Sequence, residues 1–418
     1  MIVKPRIRGF ICTTAHPDGC AAHVNEQINY VRDQGAVDCG VRNVLVLGAS
    51  GGYGLASRIV AAFGNQAATL GVSFEKPPTD SKTATAGWYN NVAFETAAQE
   101  AGLYAKSLDG DAFSDEMKAR VAATIKADMG QIDMLVYSLA APVRKHPQTG
   151  FLHRSAIKPL GDPVHIKSLN VDKGLVHEVD LEPASEEETA NTVAVMGGED
   201  WELWVDALMQ AGVLAPGFRT LAFTYIGSEL TWPIYWEATL GKAKEDLDRA
   251  AGSMGTKLAA LDGEARVATL KAIVSQASSA IPVVPLYASL LFRVMKDKGV
   301  HEDTIAHIYR LFSTQLCVGC DMRLDESGRI RMDDLELADD VQNEVKRRWP
   351  LVTSENLREL ADLEGFREDF LKIFGFGISN GKTEAVREPK RGGCWGVKAR
   401  CIITRVIRPG TGARPKPH

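Results

Sequence analysis

The sequence predicts an α/β fold of Rossmann type: a doubly wound parallel sheet with an inserted substrate lid and a helical C-terminal half. Short β-branched runs alternate with longer helical patterns through the first half, as parallel strands and their covering helices require. A glycine-rich stretch from Gly48 to Gly54 stands where a strand pattern gives way to a helical one. Beyond Ser275 the apolar periodicity is mainly helical.

In chain order, residues 43–47 read as a buried strand, 55–63 as the helix after it, and 67–74 as the second strand. A helix over 93–101, a short apolar run at 103–107 and a helix over 115–128 come next. Residues 133–138 and 219–225 are further strands, and 265–274 reads as a sixth. The interval 140–218 is too long for a simple crossover; with a hairpin around Asp172 to Gly174 and helices near Glu186 and Trp201, it is assigned as the lid. Helices are expected at 286–298, 302–312, 338–347 and 355–363. No Pro/Gly/Ser linker divides these blocks, so residues 1–376 are expected to form one domain, with 377–418 a flexible tail.

The 418 residues are 45% hydrophobic, enough for a substantial core. The net charge of −5 is unevenly placed: ten Lys and Arg against two Glu beyond Phe376 make the tail +8, leaving −13 for the body. An acidic body gives no general attraction to nucleic acid, and a short basic tail is more often a solvated end than a binding arm. No stretch approaches the roughly 20 apolar residues of a membrane span, and no leader pattern is present, so a cytoplasmic monomer with no membrane partner is expected. Seven cysteines, an odd number spread along the chain, do not suggest a disulfide framework.

The run Gly48-Ala49-Ser50-Gly51-Gly52-Tyr53-Gly54 would present backbone amides and a helix N-terminus to a pyrophosphate. Strand 67–74 then ends in Glu75, where a carboxylate accepts from ribose hydroxyls and repels a 2′-phosphate, favouring NADH over NADPH. The same loop also satisfies Gly-x-Ser-x-Gly, a nucleophile elbow in which Ser50 would attack, with His301 or His307 as base. A non-catalytic NADH sensor is a third reading. The early position of the loop and the placement of Glu75 favour the nucleotide.

Tyr235 and Lys244 are nine positions apart. A lysine beside a tyrosine lowers the phenol pKa and can hold a ribose, which suits uptake of negative charge after hydride transfer. Nine residues of continuous helix would hold them about 13 Å apart along the axis, so Tyr235 is placed at or before the helix start, near Pro233.

These residues carry a resemblance. The run from Thr224-Tyr225-Ile226-Gly227 through Trp232-Pro233-Ile234-Tyr235-Trp236 to Gly241-Lys242-Ala243-Lys244 is similar to FabV-type enoyl-ACP reductases and the related trans-2-enoyl-CoA reductases. So are Gly9-Phe10-Ile11-Cys12-Thr13-Thr14-Ala15-His16-Pro17 and Ser278-Ser279-Ala280-Ile281-Pro282-Val283-Val284-Pro285-Leu286-Tyr287. The resemblance runs to about Phe376. It implies NADH-dependent reduction of trans-2-enoyl thioesters, carried by acyl carrier protein or CoA, at the end of the fatty-acid elongation cycle. It further implies that Tyr235 donates the proton, Lys244 assists and binds cofactor, and Tyr225 contacts substrate. Gly48, Ala49, Ser50, Gly51, Gly52, Tyr53, Phe74, Glu75, Asp111, Ala112, Leu139, Ala140, Ile273, Val274 and Ser275 would line the NADH site. Two departures stand out: the basic tail, and Ser275 where a small β-branched residue is commoner.

Other signals carry less. Cys317-Val318-Gly319-Cys320 lacks a second ligand pair for zinc and reads as chance thiols, with no metal expected. Trp201 and Trp204 fit a core better than an acyl tunnel. Arg144, Lys145 and His146 read as solvated loop charge rather than a phosphate contact.

Overall fold

The computed structural model describes residues 3–9, 11–139 and 141–378. Its centre is a seven-stranded, wholly parallel sheet. The strands are β1 (Asn43–Leu47), β2 (Ala68–Ser73), β3 (Ala105–Asp109), β4 (Ile132–Tyr137), β5 (Leu214–Thr224), β6 (Glu264–Thr269) and β7 (Ile330–Arg331). Their spatial order is β7-β6-β5-β4-β1-β2-β3. The order reverses between β1 and β4, so connections leave in opposite directions there and open a crevice at the carboxyl ends, the ligand position of open α/β sheets.

Alternation along β1 shows how the sequence builds two cores. Val44 and Val46 join one cluster with Val24, Ile28 and Val31 of helix Pro17–Gln34, Leu55 and Ile59 of helix Gly52–Ile59, and Ile308 and Leu311 of helix Thr304–Thr314. Leu45 and Leu47 join the other, with Val121 and Ile125 of helix Asp115–Asp128, Trp201 and Trp204 of helix Glu199–Gln210, and Leu247 and Met254 of helix Thr239–Leu258. Successive side chains of a strand point to opposite faces, so a strand with four consecutive apolar residues must be covered on both sides. The doubly wound α/β fold is therefore the observed one.

The long interval between β4 and β5 divides. Two antiparallel ribbons, Val143–Lys145 with Leu152–Arg154 and Val164–Asn170 with Leu175–Leu181, are followed by helix Glu186–Met196, whose Ser185 and Glu188 form a capping box. The hairpin falls at Asp172 to Gly174 as expected. Helix Glu199–Gln210, however, is a crossover helix and no part of a lid. Trp201 and Trp204 are wholly buried beneath the sheet, donating to Thr220 Oγ1 at 2.8 Å and to the Ala112 carbonyl at 3.1 Å. Arg144 departs from its expected solvation: it is buried, with Nη1 donating to Glu199 Oε2 at 2.6 Å.

Some elements differ from their sequence reading. Helix Pro17–Gln34 was not foreseen; its buried stripe of Val24, Gln27, Ile28 and Val31 includes a glutamine that breaks the apolar pattern. Helix Ala86–Glu100 begins before residue 93, because its first turns bury Asn90 and Asn91 rather than apolar groups. β6 ends at Thr269, and the 355–363 helix is two helices, Leu357–Leu360 and Leu363–Lys372, parted by extended Ala361. Cys317 and Cys320 are disulfide-bonded, their Cα atoms 5.4 Å apart across a turn, and are not free thiols. Among the described residues no metal-binding cluster occurs, and no helix is long and apolar enough to cross a membrane. Most of the basic tail lies outside the described residues.

The tightest constraint on the sheet is Gly48. It has φ +80°, and a Cβ there would lie 2.0 Å from the Ser138 carbonyl oxygen at the end of β4. Gly48→Ala combines a left-handed backbone with this clash and is expected to cost at least about 2 kcal/mol. Thermal unfolding checks this: a clear fall in midpoint is expected, and an unchanged midpoint would show that the β1–β4 edge can relax.

Candidate active site

The chain leaves β1 at Gly48 and enters helix Gly52–Ile59 at once. Gly48 and Gly54 are packed without room for a Cβ, while a Cβ on Gly51 would meet nothing within 4 Å. The inner glycines thus let strand, loop and helix close together, and the outer one leaves the amides uncovered for an anion. Gly52, with φ +52°, lies beside Ile273, and Tyr53 donates to the Lys271 carbonyl at 2.9 Å. Residues 273–275, beyond β6, are thereby held against the loop. Ser275 caps the short helix Gln276–Ser279.

Ser50 Oγ donates to Glu75 Oε1 at 2.6 Å, and the Ser50 carbonyl accepts from Asn90 Nδ2 at 2.9 Å. A Cβ on Gly87 would stand 2.1 Å from Glu75 Oε1, so that glycine makes room for the carboxylate. The neighbouring Phe74 is 73% exposed at the end of β2, an apolar surface fit to meet a ring. Asp111 caps its own turn, accepting from Phe113 N at 3.0 Å, and Ala112 is anchored from below by Trp204. Leu139 lies two residues beyond the end of β4; Ala140 lies outside the described residues.

The nucleophile-elbow reading fails on this geometry. The Ser50 hydroxyl is engaged by a carboxylate. His307 is buried, its Nδ1 against Glu302 Oε2 at 2.8 Å and its Nε2 accepting from Lys271 N at 3.4 Å, and His301 packs on Phe292. Neither histidine bonds the serine.

The residues expected from the sequence to carry the reaction come from the end of β5 and from the turn and helix after it. Tyr225 succeeds the last residue of β5, Thr224. The turn Trp232–Ile234, with Pro233 in it, delivers Tyr235, whose carbonyl accepts from Gly241 N at 2.8 Å. Helix Thr239–Leu258 begins only at Thr239, so Tyr235 does precede the helix that carries Lys244. Gly241 allows this fold-back, since a Cβ would strike the Trp236 carbonyl at 1.7 Å. The helix start is pinned to the 156–159 segment: Thr239 Oγ1 donates to the Ala156 carbonyl and Thr239 N to that of Lys158.

The Tyr225 and Tyr235 rings meet edge to face, centroids 5.0 Å apart. Burial alone lifts the Tyr235 phenol above its ordinary value, and burial alone draws the Lys244 ammonium down to about 8. The expected lowering of the phenol by the ammonium is therefore absent: no hydrogen bond joins the two, and among the described residues neither Tyr235 Oη nor Lys244 Nζ has a hydrogen-bond partner. A phenol held neutral suits a proton donor.

Sequence reasoning missed the residues beneath Tyr225. Its hydroxyl donates to Glu336 Oε1 at 2.8 Å, as does that of Tyr287 at 2.9 Å, and Ala272 N donates to Glu336 Oε2 at 2.6 Å. Lys271, also buried, is drawn down to about 8 by desolvation and donates to the Ala272 carbonyl at 2.8 Å. Glu336 lies 111 residues from Tyr225 in an otherwise unremarked segment; no local pattern marks it.

Known proteins resemble this chain over most of its length. Residues 82–317 match a family model described as the trans-2-enoyl-CoA reductase catalytic region, and 2–80 match the NAD(P)H binding domain of trans-2-enoyl-CoA reductase. Residues 324–384 match an enoyl reductase FAD binding domain. The chain is 56% identical over 389 residues to the FabV enoyl-[acyl-carrier-protein] reductase [NADH] of Aeromonas salmonicida, covering 93% of this chain and 98% of that one. With the Serratia proteamaculans enoyl-[acyl-carrier-protein] reductase [NADH] it shares 57% over 385 residues, 92% and 96% of the two chains. The Treponema denticola trans-2-enoyl-CoA reductase in complex with NAD superposes with a TM-score of 0.89 at 47% identity, covering 93% and 98% of the two chains. The Clostridium acetobutulicum enzyme in complex with NADH gives 0.90 at 41%, with the same coverage.

The described part of the 324–384 segment does not fit a flavin dinucleotide. After β7 it holds no glycine before Gly365, and so no strand-loop-helix cradle for a pyrophosphate. Its contribution to the site is Glu336.

Glu75 should set cofactor choice by repelling a 2′-phosphate. Glu75→Ala is expected to raise affinity for the 2′-phosphorylated dinucleotide relative to the plain one by about tenfold, on the order of 1.4 kcal/mol. Titrating both nucleotides against tryptophan fluorescence decides it; an unchanged ratio would remove Glu75 from this role.

Proposed function

The chain belongs to the trans-2-enoyl-CoA reductase family, and we infer that it uses NADH to reduce the 2,3 double bond of trans-2-enoyl thioesters to saturated acyl thioesters. This reaction closes the fatty-acid elongation cycle. The observation that carries the assignment of roles is a buried, neutral Tyr235 with an unengaged hydroxyl, set against Tyr225 at the carboxyl edge of a dinucleotide-binding sheet.

NADH when bound supplies the hydride, which adds to C3 because conjugation with the thioester carbonyl makes that carbon electrophilic. The chain's own residues do the rest. The 48–54 loop holds the pyrophosphate through backbone amides, Glu75 accepts from the ribose, and Phe74, Asp111, Ala112, Leu139, Ala140 and Ile273 to Ser275 border the dinucleotide. Negative charge accumulates on the thioester oxygen as an enolate; the Tyr235 phenol holds that oxygen and gives up its proton, which ends on C2, and the phenolate regains a proton from solvent after turnover, while the adjacent Tyr225 ring shields one side. Lys244 binds the cofactor as an ammonium and supports Tyr235 once a ligand brings them under a common hydrogen-bond network. Acyl carrier protein and CoA both present such a thioester, and the reductase acts on it as a cytoplasmic monomer.

Tyr235→Phe removes one oxygen and no packing. It is expected to lower kcat by at least about a hundredfold, the scale of general acid catalysis, with NADH affinity within about twofold. Turnover close to wild type would withdraw the donor role. Lys244 gives a pH dependence whose sign comes from its depressed value. Below about 8 the ammonium is charged and can hold the cofactor; above it the charge is lost, so the free enzyme's NADH affinity should weaken through pH 8. An unperturbed lysine would weaken it only near pH 10.4. Lys244→Met should bind more weakly with no such step; retention of the step would assign it to another group.

A further inference from the structure

Glu336 is wholly buried, yet its carboxylate meets three donors from three different elements. Tyr225 reaches it from the end of β5, Ala272 from the turn after β6, and Tyr287 from helix Val284–Asp297. Gln342 of helix Asp339–Arg348 closes the cluster, donating through Nε2 to the Glu336 carbonyl at 2.6 Å and to Tyr287 Oη at 3.1 Å. Burial pushes the carboxyl above its usual range, opposed by the Ala272 amide and the Lys271 ammonium. Taking a carboxylate out of water is costly, and an apolar side chain would hold these elements together with a smaller penalty. The group is instead aimed at the ring that backs Tyr235, and at the amide that starts the 273–275 turn.

The direction of the Tyr225 hydrogen bond matters. Its one proton is given to Glu336 Oε1, so the tether runs from the phenol to the carboxylate. What Tyr225 offers Tyr235 is its ring edge, and the angle of that edge is fixed from behind. We propose that Glu336 is a positioning residue of the reductase site, tethering Tyr225 by its hydroxyl so that Tyr225 braces Tyr235 in the proton-donating position. The C-terminal segment thereby completes a site otherwise built from β1 to β6. This rests on the role assigned to Tyr235 above.

A double-mutant cycle in the full-length enzyme, with NADH and crotonyl-CoA, tests it. Glu336→Gln is expected to lower kcat between about tenfold and a hundredfold, the scale of sub-ångström misplacement, with KM and NADH affinity within about threefold. Tyr225→Phe, which cuts the same tether, should lose a similar factor. In the Tyr225→Phe background Glu336→Gln should cost less than about threefold further, since the group it acts through is already released. Equal losses in both backgrounds would mean that Glu336 only supports the fold, and would overturn the proposal, as would a fully active Glu336→Gln. Should Glu336→Gln fail to fold, Glu336→Asp, which withdraws the carboxylate by one methylene, must show the same loss and the same coupling. A wild-type enzyme that oxidises no NADH would instead defeat the functional reading itself.

Discussion

At the carboxyl edge of β1 the backbone turns so close to β4 that no side chain fits between Gly48 and the Ser138 carbonyl. Every part of the site depends on that approach. It lets the loop fold under helix Gly52–Ile59, leaves Gly51 open above it, and brings Ser50 within reach of Glu75 at the end of β2. It also sets Tyr53 where its hydroxyl ties the loop to Lys271 beyond β6. Strands on both sides of the reversal are thus fastened to one turn of backbone, and the crevice takes its shape from glycines rather than from side chains that line it.

The reaction centre is built on a second principle, the removal of ionisable groups from water. Tyr235, Tyr225 and Tyr287 are all lifted by burial, and Lys244 and Lys271 are both drawn down. Such a site keeps the unengaged Tyr235 phenol protonated and the ammonium groups near the edge of losing charge, with little solvent to compete for incoming negative charge. Glu336 follows the same principle as an acid, buried, lifted by that burial and held among donors. Its position explains how a segment after β7, remote in sequence, takes part in a site at the ends of β5 and β6.

Much of this was legible in the sequence because it is local. A strand, a glycine loop and a helix in succession announce a phosphate grip, and an acidic residue at the end of the next strand narrows the nucleotide. The turn before helix Thr239–Leu258 was readable from Pro233, and the Tyr-to-Lys spacing required it. The hidden part is long-range. Glu336 meets Tyr225 only through the fold, and helix Pro17–Gln34 conceals its buried stripe behind Gln27. Trp201 and Trp204 were ambiguous for a related reason: a helical aromatic pair looks the same over a cavity and under a sheet. The missing lysine-to-tyrosine contact is a further lesson, since sequence proximity of charge and phenol does not ensure a shared environment.

The central claim is that this site passes hydride from NADH to an enoyl thioester and supplies the second hydrogen from the protein. The most direct measurement is isotopic: reduce crotonyl-CoA with the wild-type chain and NADH deuterated at the transferred position, then locate the label in the product by mass spectrometry and NMR. The predicted product carries one deuterium at C3 from the cofactor and a solvent-derived hydrogen at C2. Reduction with no cofactor label in the product, or with the label at C2, would contradict it.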